Sequence, residues 1–282
     1  MKIIDNISRM STFVKMMKKE GKSIGLVPTM GYLHEGHMSL VRSAKKNADV
    51  VVMSIFINPL QFGPKEDLEK YPRDIRHDEG LAREAGVDVI FYPSMKDMYP
   101  EGYATYVTVD KLTDMLCGES RPGHFKGVAT VVTKLFNIIK PDVAYFGQKD
   151  MQQALIIKKM VADLNMGVDV KIMAIIREKA GLAMSSRNIY LSEAERKDAL
   201  VLYQSLKLAA NMVKQGERDA RKVLRAMEGM IKQKPAAKID YIRAVNTKDL
   251  RDVKSISGET MIALAVFFGQ TRLIDNIIIT GK

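Results

Sequence analysis

One cysteine, Cys117, among 282 residues leaves no partner for an internal disulfide. The chain therefore reads as one that relies on its core in a reducing cytosol, with Cys117 as a small buried hydrophobe. Tryptophan is absent and aromatics make up 7%, and no RNA-module aromatic signature is present. No stretch approaches the ~18 apolar residues of a membrane span. The first twenty residues alternate polar and apolar, carry Asp5 and Glu20, and lack a signal-peptide core. Internal repeats and low-complexity tracts are missing. Histidine is scarce, at four residues.

What is present fits an ordinary globular protein: 46% hydrophobic and 27% charged residues. Nineteen methionines read as an adaptable core. A net charge of +11 favours acidic partners such as nucleotides, small carboxylates or nucleic acid. The charge is spread: residues 188–282 carry 17 basic and 11 acidic side chains, and residues 1–187 carry 27 and 22. With no long basic tract, a solvated basic surface is the default reading.

The length allows two domains. Strand candidates are 24–28, 50–57, 87–92, 143–146 and 168–176; helix candidates are 8–19, 36–47, 74–85, 128–139 and 151–164. Several strands, such as Val50 to Ile57, are continuously apolar, as parallel strands buried on both faces are. The alternation predicts an α/β fold with a doubly wound parallel sheet, whose ligands bind at the carboxyl ends of the strands. The last third differs. Ser192 with Glu195 is a capping box. It predicts a helix to about Lys214, broken at Gly216, and a second helix to about Gln233. Three strand-like runs follow, 239–246, 260–268 and 272–280. This block reads as a smaller α+β domain. The boundary is expected between 177 and 190, giving domains 1–180 and 181–282.

Two of the four histidines, His34 and His37, sit three apart with Gly36 between them. A strand precedes them and a helix follows. Strand, glycine turn and helix start form a phosphate site, because free N–H groups and the helix dipole face the anion. Residues i and i+3 share a helix face. A cap or surface role is the bland alternative. A zinc site is disfavoured, since zincin spacing is i, i+4 and no third ligand is evident. Asn58-Pro59-Leu60-Gln61 ends the second strand and offers uncharged amides for hydroxyls and carboxylates; Asn-Pro also marks a turn by itself. Gly147-Gln148-Lys149-Asp150 ends the fourth strand candidate, with Lys149 placed for a phosphate and Asp150 able to cap the next helix. Ser185-Ser186-Arg187 near the domain boundary suits a triphosphate, or a serine-rich linker. Arg121-Pro122-Gly123-His124-Phe125 reads as a rigid loop that reaches the site or only orders the chain. Asp78 is a candidate magnesium ligand; the alternative is a solvent-facing carboxylate. Four strand ends thus carry groups suited to one nucleotide and one small acid.

Together Pro-Thr-Met-Gly-x-Leu-His-x-Gly-His at 28–37, Asn-Pro-x-Gln-Phe at 58–62, Arg-Pro-Gly-His-Phe at 121–125, Phe-Gly-x-Lys-Asp-x-Gln-Gln at 146–153 and Met-Ser-Ser-Arg-Asn at 184–188 resemble the pantothenate synthetase (pantoate–β-alanine ligase) family. Arg272-Leu273-Ile274-Asp275-Asn276 resembles it as well. The motifs span nearly the whole chain; the histidine pair alone resembles only the wider nucleotidyltransferase superfamily.

The resemblance implies ATP-dependent condensation of (R)-pantoate with β-alanine through a pantoyl-adenylate, giving pantothenate, AMP and diphosphate. It implies a Rossmann-like N-terminal domain, a C-terminal lid, magnesium, a cytoplasmic location and a homodimer, with no nucleic-acid or membrane partner. Met30, Gly31, Tyr32, Leu33, His34, Glu35, Gly36 and His37 would line the ATP site. His37 would donate a proton toward the leaving pyrophosphate, and His34 would stabilise charge at the α-phosphate. Gly147, Gln148, Lys149 and Asp150 would contact ATP, with Lys149 on its phosphates and acting in catalysis. Ile176 would border the adenine. Met184, Ser185, Ser186 and Arg187 would hold the triphosphate from the lid side. Gln61 and Gln153 would hold pantoate, with Gln61 near β-alanine and Asn58 beside them. The chain departs from the family pattern at Ala180, where an aspartate commonly precedes Gly-Leu-Ala; the order of that loop and ATP affinity are the points this touches. Two rival readings are a cytidylyltransferase sharing the histidine pair and a non-enzymatic basic nucleic-acid binder.

Overall fold

The computed structural model describes residues 1–64 and 66–281. Six parallel strands form the first sheet: β1 (Lys2–Ile4), β2 (Ile24–Thr29), β3 (Val50–Ile55), β4 (Val89–Phe91), β5 (Val143–Gly147) and β6 (Asp169–Met173). Their order is β1-β4-β3-β2-β5-β6. Around them pack α1 (Ile7–Lys19), α2 (Glu35–Lys45), α3 (Ile75–Glu84), the short α4 (Met95–Met98) and α5 (Cys117–Ser120), α6 (His124–Ile139) and α7 (Met151–Asp163). The Rossmann-like doubly wound expectation holds, and the residue alternation explains it. Ile24, Leu26, Val50 and Val52 face a core shared with Met10 and Val14 of α1, Phe136 of α6 and Ile156 of α7. Their neighbours Val27, Val51 and Met53 face the opposite core with Val41 and Ala44 of α2 and Ala82 of α3. A side-chain period of two puts consecutive apolar residues on opposite faces, so a continuous apolar run means a layer of helices on each side.

The chain runs outward from β2 to β3 and β4, then returns to place β5 on the other side of β2. The strand order therefore reverses between β2 and β5. That switch point is where a doubly wound sheet opens a crevice beyond its carboxyl ends.

The C-terminal block follows with α8 (Glu193–Ala199), α9 (Val201–Lys214), α10 (Ala220–Lys232), and the antiparallel strands β7 (Ala237–Asn246), β8 (Gly258–Phe268) and β9 (Thr271–Gly281) in that order. The Ser192–Glu195 capping box is present, with Ser192 Oγ accepting from Glu195 N at 3.3 Å. Ile262, Leu264 and Val266 of β8 pack on Leu206, Val223 and Ile231 of the helices. The alternate residues Met261 and Ala263 join the core of the first sheet. The second sheet is thus sandwiched, which ties it to the crevice.

Differences from the sequence reading are local. β1 is absent from the strand candidates: three residues on a sheet edge carry too little pattern to register, although they pair with Val89, Ile90 and Phe91. The expected helix 192–214 is interrupted at Leu200, whose φ of −60° and ψ of −21° stay helical. The Arg121–Phe125 segment is not wholly a loop, because α6 starts at His124 after Gly123 at φ +83°. Among the described residues no helix is long and apolar enough to cross a membrane.

Candidate active site

β2 ends at Thr29, and the chain turns through Gly31 (φ +85°) and Tyr32 (φ +49°) into α2. Two consecutive left-handed residues require a fastening. Asp78 of α3 supplies it: its oxygens accept from Tyr32 N at 2.9 Å and Leu33 N at 2.7 Å. Asp78 is 2% exposed and lies outside the cleft around the histidines. This corrects both sequence readings of Asp78. It is neither a solvent-facing carboxylate nor placed as a magnesium ligand; it anchors the turn, because the turn's backbone donors need a buried acceptor.

The imidazoles themselves cap α2. Gly36 N donates to His34 Nδ1 at 3.2 Å, and His34 N donates to His37 Nδ1 at 3.3 Å. The first amides of α2 are therefore partly taken by the rings, which modifies the expectation of free N–H groups facing an anion. The rings stack with centroids 4.0 Å apart and 28° between planes. A Cβ on Gly36 would stand 2.9 Å from the His34 ring, so glycine is what lets that ring fold back. With each Nδ1 acting as acceptor, the neutral proton is assigned to Nε2 in both rings. Burial, reinforced by the Lys149 ammonium, pulls His34 down to about 4. Burial, then His34 and Lys149, pull His37 well below its ordinary value. Both rings are neutral N–H donors at pH 7.

The cleft beyond β2 and β5 brings together Met30, Gly36, Gly147, Lys149, Asp150 and Ile176 with the histidine pair. From the C-terminal side Met184, Ser185, Ser186 and Arg187 complete it. Gln61 and Gln153 also line it. The Gln153 amide makes no hydrogen bond among the described residues, and so remains available to a ligand. Arg121 and His124 face the same cleft and clasp the Gln61 turn. His124 Nδ1 donates to Gln61 O at 2.8 Å, and Arg121 Nη2 donates to it at 3.2 Å. Burial first, and Arg121 beside it, pull His124 down to about 4.

Several expected residues lie outside the cleft. Asn58 is 1% exposed; its amide donates to Gln61 Oε1 at 3.2 Å and Gly127 O at 3.0 Å, and its oxygen accepts from Tyr99 OH at 2.8 Å. It holds Gln61 in place, as a fully engaged buried amide must. Gln148 turns to Asn276, at 3.2 Å. Glu35 pairs with Arg42 on the surface, Leu33 is core, and Gly31 and Tyr32 shape the turn. Ser186 Oγ donates to Tyr32 O at 3.1 Å, fastening the C-terminal side to that turn.

Sequence reading misses Tyr71, which lines the cleft, and Asp67, whose carboxylate takes Arg187 Nε and Nη2 at 2.8 Å each. No spacing signal marks either, because both lie in an irregular stretch. The loop at Ala180 is ordered without an aspartate. Gly181 N donates to Glu178 O at 2.8 Å, Arg177 donates to Gly181 O at 3.2 Å, and Arg177 pairs with buried Asp275 at 2.5 and 2.9 Å.

The buried neutral histidines carry a pH signature. His34 and His124 bind protons in the unfolded chain near pH 6.5 but in the folded chain only near 4. Stability is complete above pH 6.5 and falls as pH drops toward 4, by on the order of 2–3 kcal/mol per histidine. Thermal unfolding between pH 7 and 4.5 should show the decline, and His124→Gln should flatten it. An unchanged slope in that variant would remove His124 from the account.

The pantoate–β-alanine ligase family model matches residues 2–278. Pantothenate synthetase of Caldicellulosiruptor bescii is 56% identical over 282 residues, covering 100% of both chains. That of Acetivibrio thermocellus is 56% identical over 279 residues, covering 99% of each. The crystal structure of pantothenate synthetase from Thermus thermophilus superposes with a TM-score of 0.94 at 43% identity, covering 98% of this chain and 99% of that one. Pantoate–β-alanine ligase of Francisella tularensis, solved in complex with beta-gamma ATP and β-alanine, gives a TM-score of 0.82 at 35% identity, covering 99% and 97%. With a histidine-capped helix at the switch point and this similarity along its whole length, the chain belongs to the pantoate–β-alanine ligase family.

Proposed function

We propose that this cleft condenses pantoate with β-alanine using ATP, by way of a pantoyl-adenylate, releasing AMP and diphosphate. The observation that carries the reading is one cleft holding both a cationic, donor-rich wall and two uncharged amides. His34, His37, Lys149 and Arg187 make up the wall; Gln61 and Gln153 are the amides. A carboxylate attacking a triphosphate brings two anions together, and the wall offsets their repulsion. Two neutral Nε2–H groups at a helix N-terminus, with Lys149 behind them, are donors set before the charge develops. His37 is read as the donor toward the departing pyrophosphate and His34 as the donor at the α-phosphate. The amides orient the acid without adding charge, so the step is chiefly placement.

Magnesium fits this site as an ion carried by the phosphates. Among the described residues no cluster of three metal-binding side chains exists, and Asp150 is the sole carboxylate among those lining the cleft. That is the pattern for an ion held by substrate phosphates with few protein ligands; bound, it would supply charge neutralisation. Asp150 is its candidate protein ligand. We read residues 1–180 as the nucleotide- and pantoate-binding domain and 181–282 as a lid that keeps water from the acyl adenylate. A cytoplasmic homodimer completes the proposal.

The test is AMP release from ATP that requires both pantoate and β-alanine. Pyrophosphate release with CTP in place of ATP, or AMP release from ATP without the acid, would support a different nucleotidyl transfer. Substituting Gln61 by Ala should raise the pantoate KM more than the ATP KM, by roughly tenfold for a lost neutral hydrogen bond. A larger rise for ATP would reassign Gln61.

A further inference from the structure

Two consecutive acidic residues, Glu66 and Asp67, each neutralise one of the two arginines that line the cleft. Asp67 takes Arg187 through the Nε and Nη2 edge at 2.8 Å each. Glu66 takes Arg121 at 2.7 Å on Nε and 2.5 Å on Nη2. Both pairs are side-on forks, the geometry with which guanidinium holds a carboxylate or a phosphate ligand. All four side chains are 15–27% exposed. The same stretch is fastened to the far wall: Tyr190 OH donates to Lys70 O at 2.8 Å, and the Arg187 guanidinium lies 5.7 Å from the centre of the Tyr71 ring.

We propose that Asp67 is an internal stand-in for the nucleotide's triphosphate, occupying Arg187 until ATP displaces it. The inference rests on the reading of Arg187 as a triphosphate ligand. The physical reason is charge balance. Arg121, Lys149 and Arg187 share one cleft, and without counter-charges they repel one another. The Glu66–Asp67 pair cancels that repulsion in the free enzyme. Once the triphosphate arrives, the same carboxylates become like charges beside it. A carboxylate left on Arg187 would then oppose nucleotide binding. The pair holds both arginines ordered and makes nucleotide affinity the difference between two anions, not the full strength of one.

The test is calorimetric binding of a β,γ-methylene ATP analogue with magnesium to the full-length enzyme. Asp67→Asn, which keeps the shape and removes the charge, should tighten the analogue about fivefold, the worth of one partly exposed ion pair. Glu66→Gln, which removes a charge of the same kind from the neighbouring arginine, should leave the analogue within twofold; tightening by about fivefold here as well would make the Asp67 effect a general charge effect and overturn the proposal. Arg187→Gln should weaken the analogue, and adding Asp67→Asn to it should tighten binding by much less than fivefold, because the competition for Arg187 is gone. If Asp67→Asn binds the analogue equally or more weakly, Asp67 is a buttress for Arg187 and the proposal is overturned. If Arg187→Gln leaves affinity unchanged, it is the triphosphate reading of Arg187 that fails. Denaturant midpoints of all three single variants near that of the parent establish that folding is not the cause.

Discussion

His37→Ala is expected to lower pantoate-dependent pyrophosphate exchange by a factor on the order of 10² or more, the scale of a lost transition-state donor, while folding changes little. The kinetic loss follows from the ring's tautomer. Its Nδ1 accepts from His34 N at 3.3 Å, which leaves Nε2–H as the free donor that the proposed role requires. Burial, His34 and Lys149 keep the ring neutral, so the donor is present through the physiological range and its contribution grows as charge develops. The small folding effect follows from what else is lost. A capping hydrogen bond contributes about 1 kcal/mol, and truncating the ring exposes apolar neighbours to a cleft that is already open. Exchange kinetics and denaturant unfolding on the same preparation separate the two effects. Exchange within tenfold of the parent, with the analogue still bound, would sink the assignment of His37.

Gly127→Ala should destabilise the fold by about 3 kcal/mol, the upper range for overpacking, and raise the pantoate KM together with it. Gly127 lies in α6, where alanine is ordinarily the better residue. Here a Cβ would stand 2.2 Å from Leu60 O and 2.6 Å from Gln61 N. These are backbone atoms of the 59–61 turn, so no side chain can rotate away. The same turn is held by Asn58 to Gly127 O at 3.0 Å and by His124 and Arg121 to Gln61 O. Pushing α6 outward therefore moves Gln61. Gly229→Ala in α10 is the control: its Cβ would meet nothing within 4 Å, and it should stabilise by about 0.5–1 kcal/mol. A Gly127→Ala protein as stable as the parent, with unchanged pantoate KM, would show that α6 and the turn can part freely.

How far the sequence reaches depends on how local each signal is. Apolar runs such as Val50 to Ile55 announce a sheet covered on both faces, because side-chain alternation leaves no other place for them. The capping box at Ser192 and the strand–turn–helix at His34 are legible because each is a bond between residues a few positions apart. β1 and the first turn of α6 are not legible. One is a three-residue edge strand that pairs across 87 positions with Val89. The other is hidden behind Pro122 and Gly123, which read as loop.

The site divides along that line. Sequence motifs nominate His34, His37, Gln61, Lys149, Gln153 and Arg187, and they converge because the strand order reverses between β2 and β5. What the motifs do not assign is which polar residue faces the cleft and which only holds another. Asn58, Gln148 and Asp78 have the same chemistry as the polar residues that do face the cleft, and their sequence reads the same way. Only packing distinguishes them. Asp78 is buried against the amides of Tyr32 and Leu33, 45 and more positions away, and Asn58 against α6. Asp67 and Glu66 are invisible for the converse reason: their partners Arg187 and Arg121 lie 120 and 55 positions distant.

Fold class, family and the chemical inventory of the cleft follow from the amino-acid order alone, since periodicity and short motifs in a fixed order set them. The protonation of the histidines, the division between ligands and supports, and the pairing of the cleft's arginines arise only on folding. Burial and long-range electrostatic contact are properties of the folded chain, and no local stretch of sequence contains them.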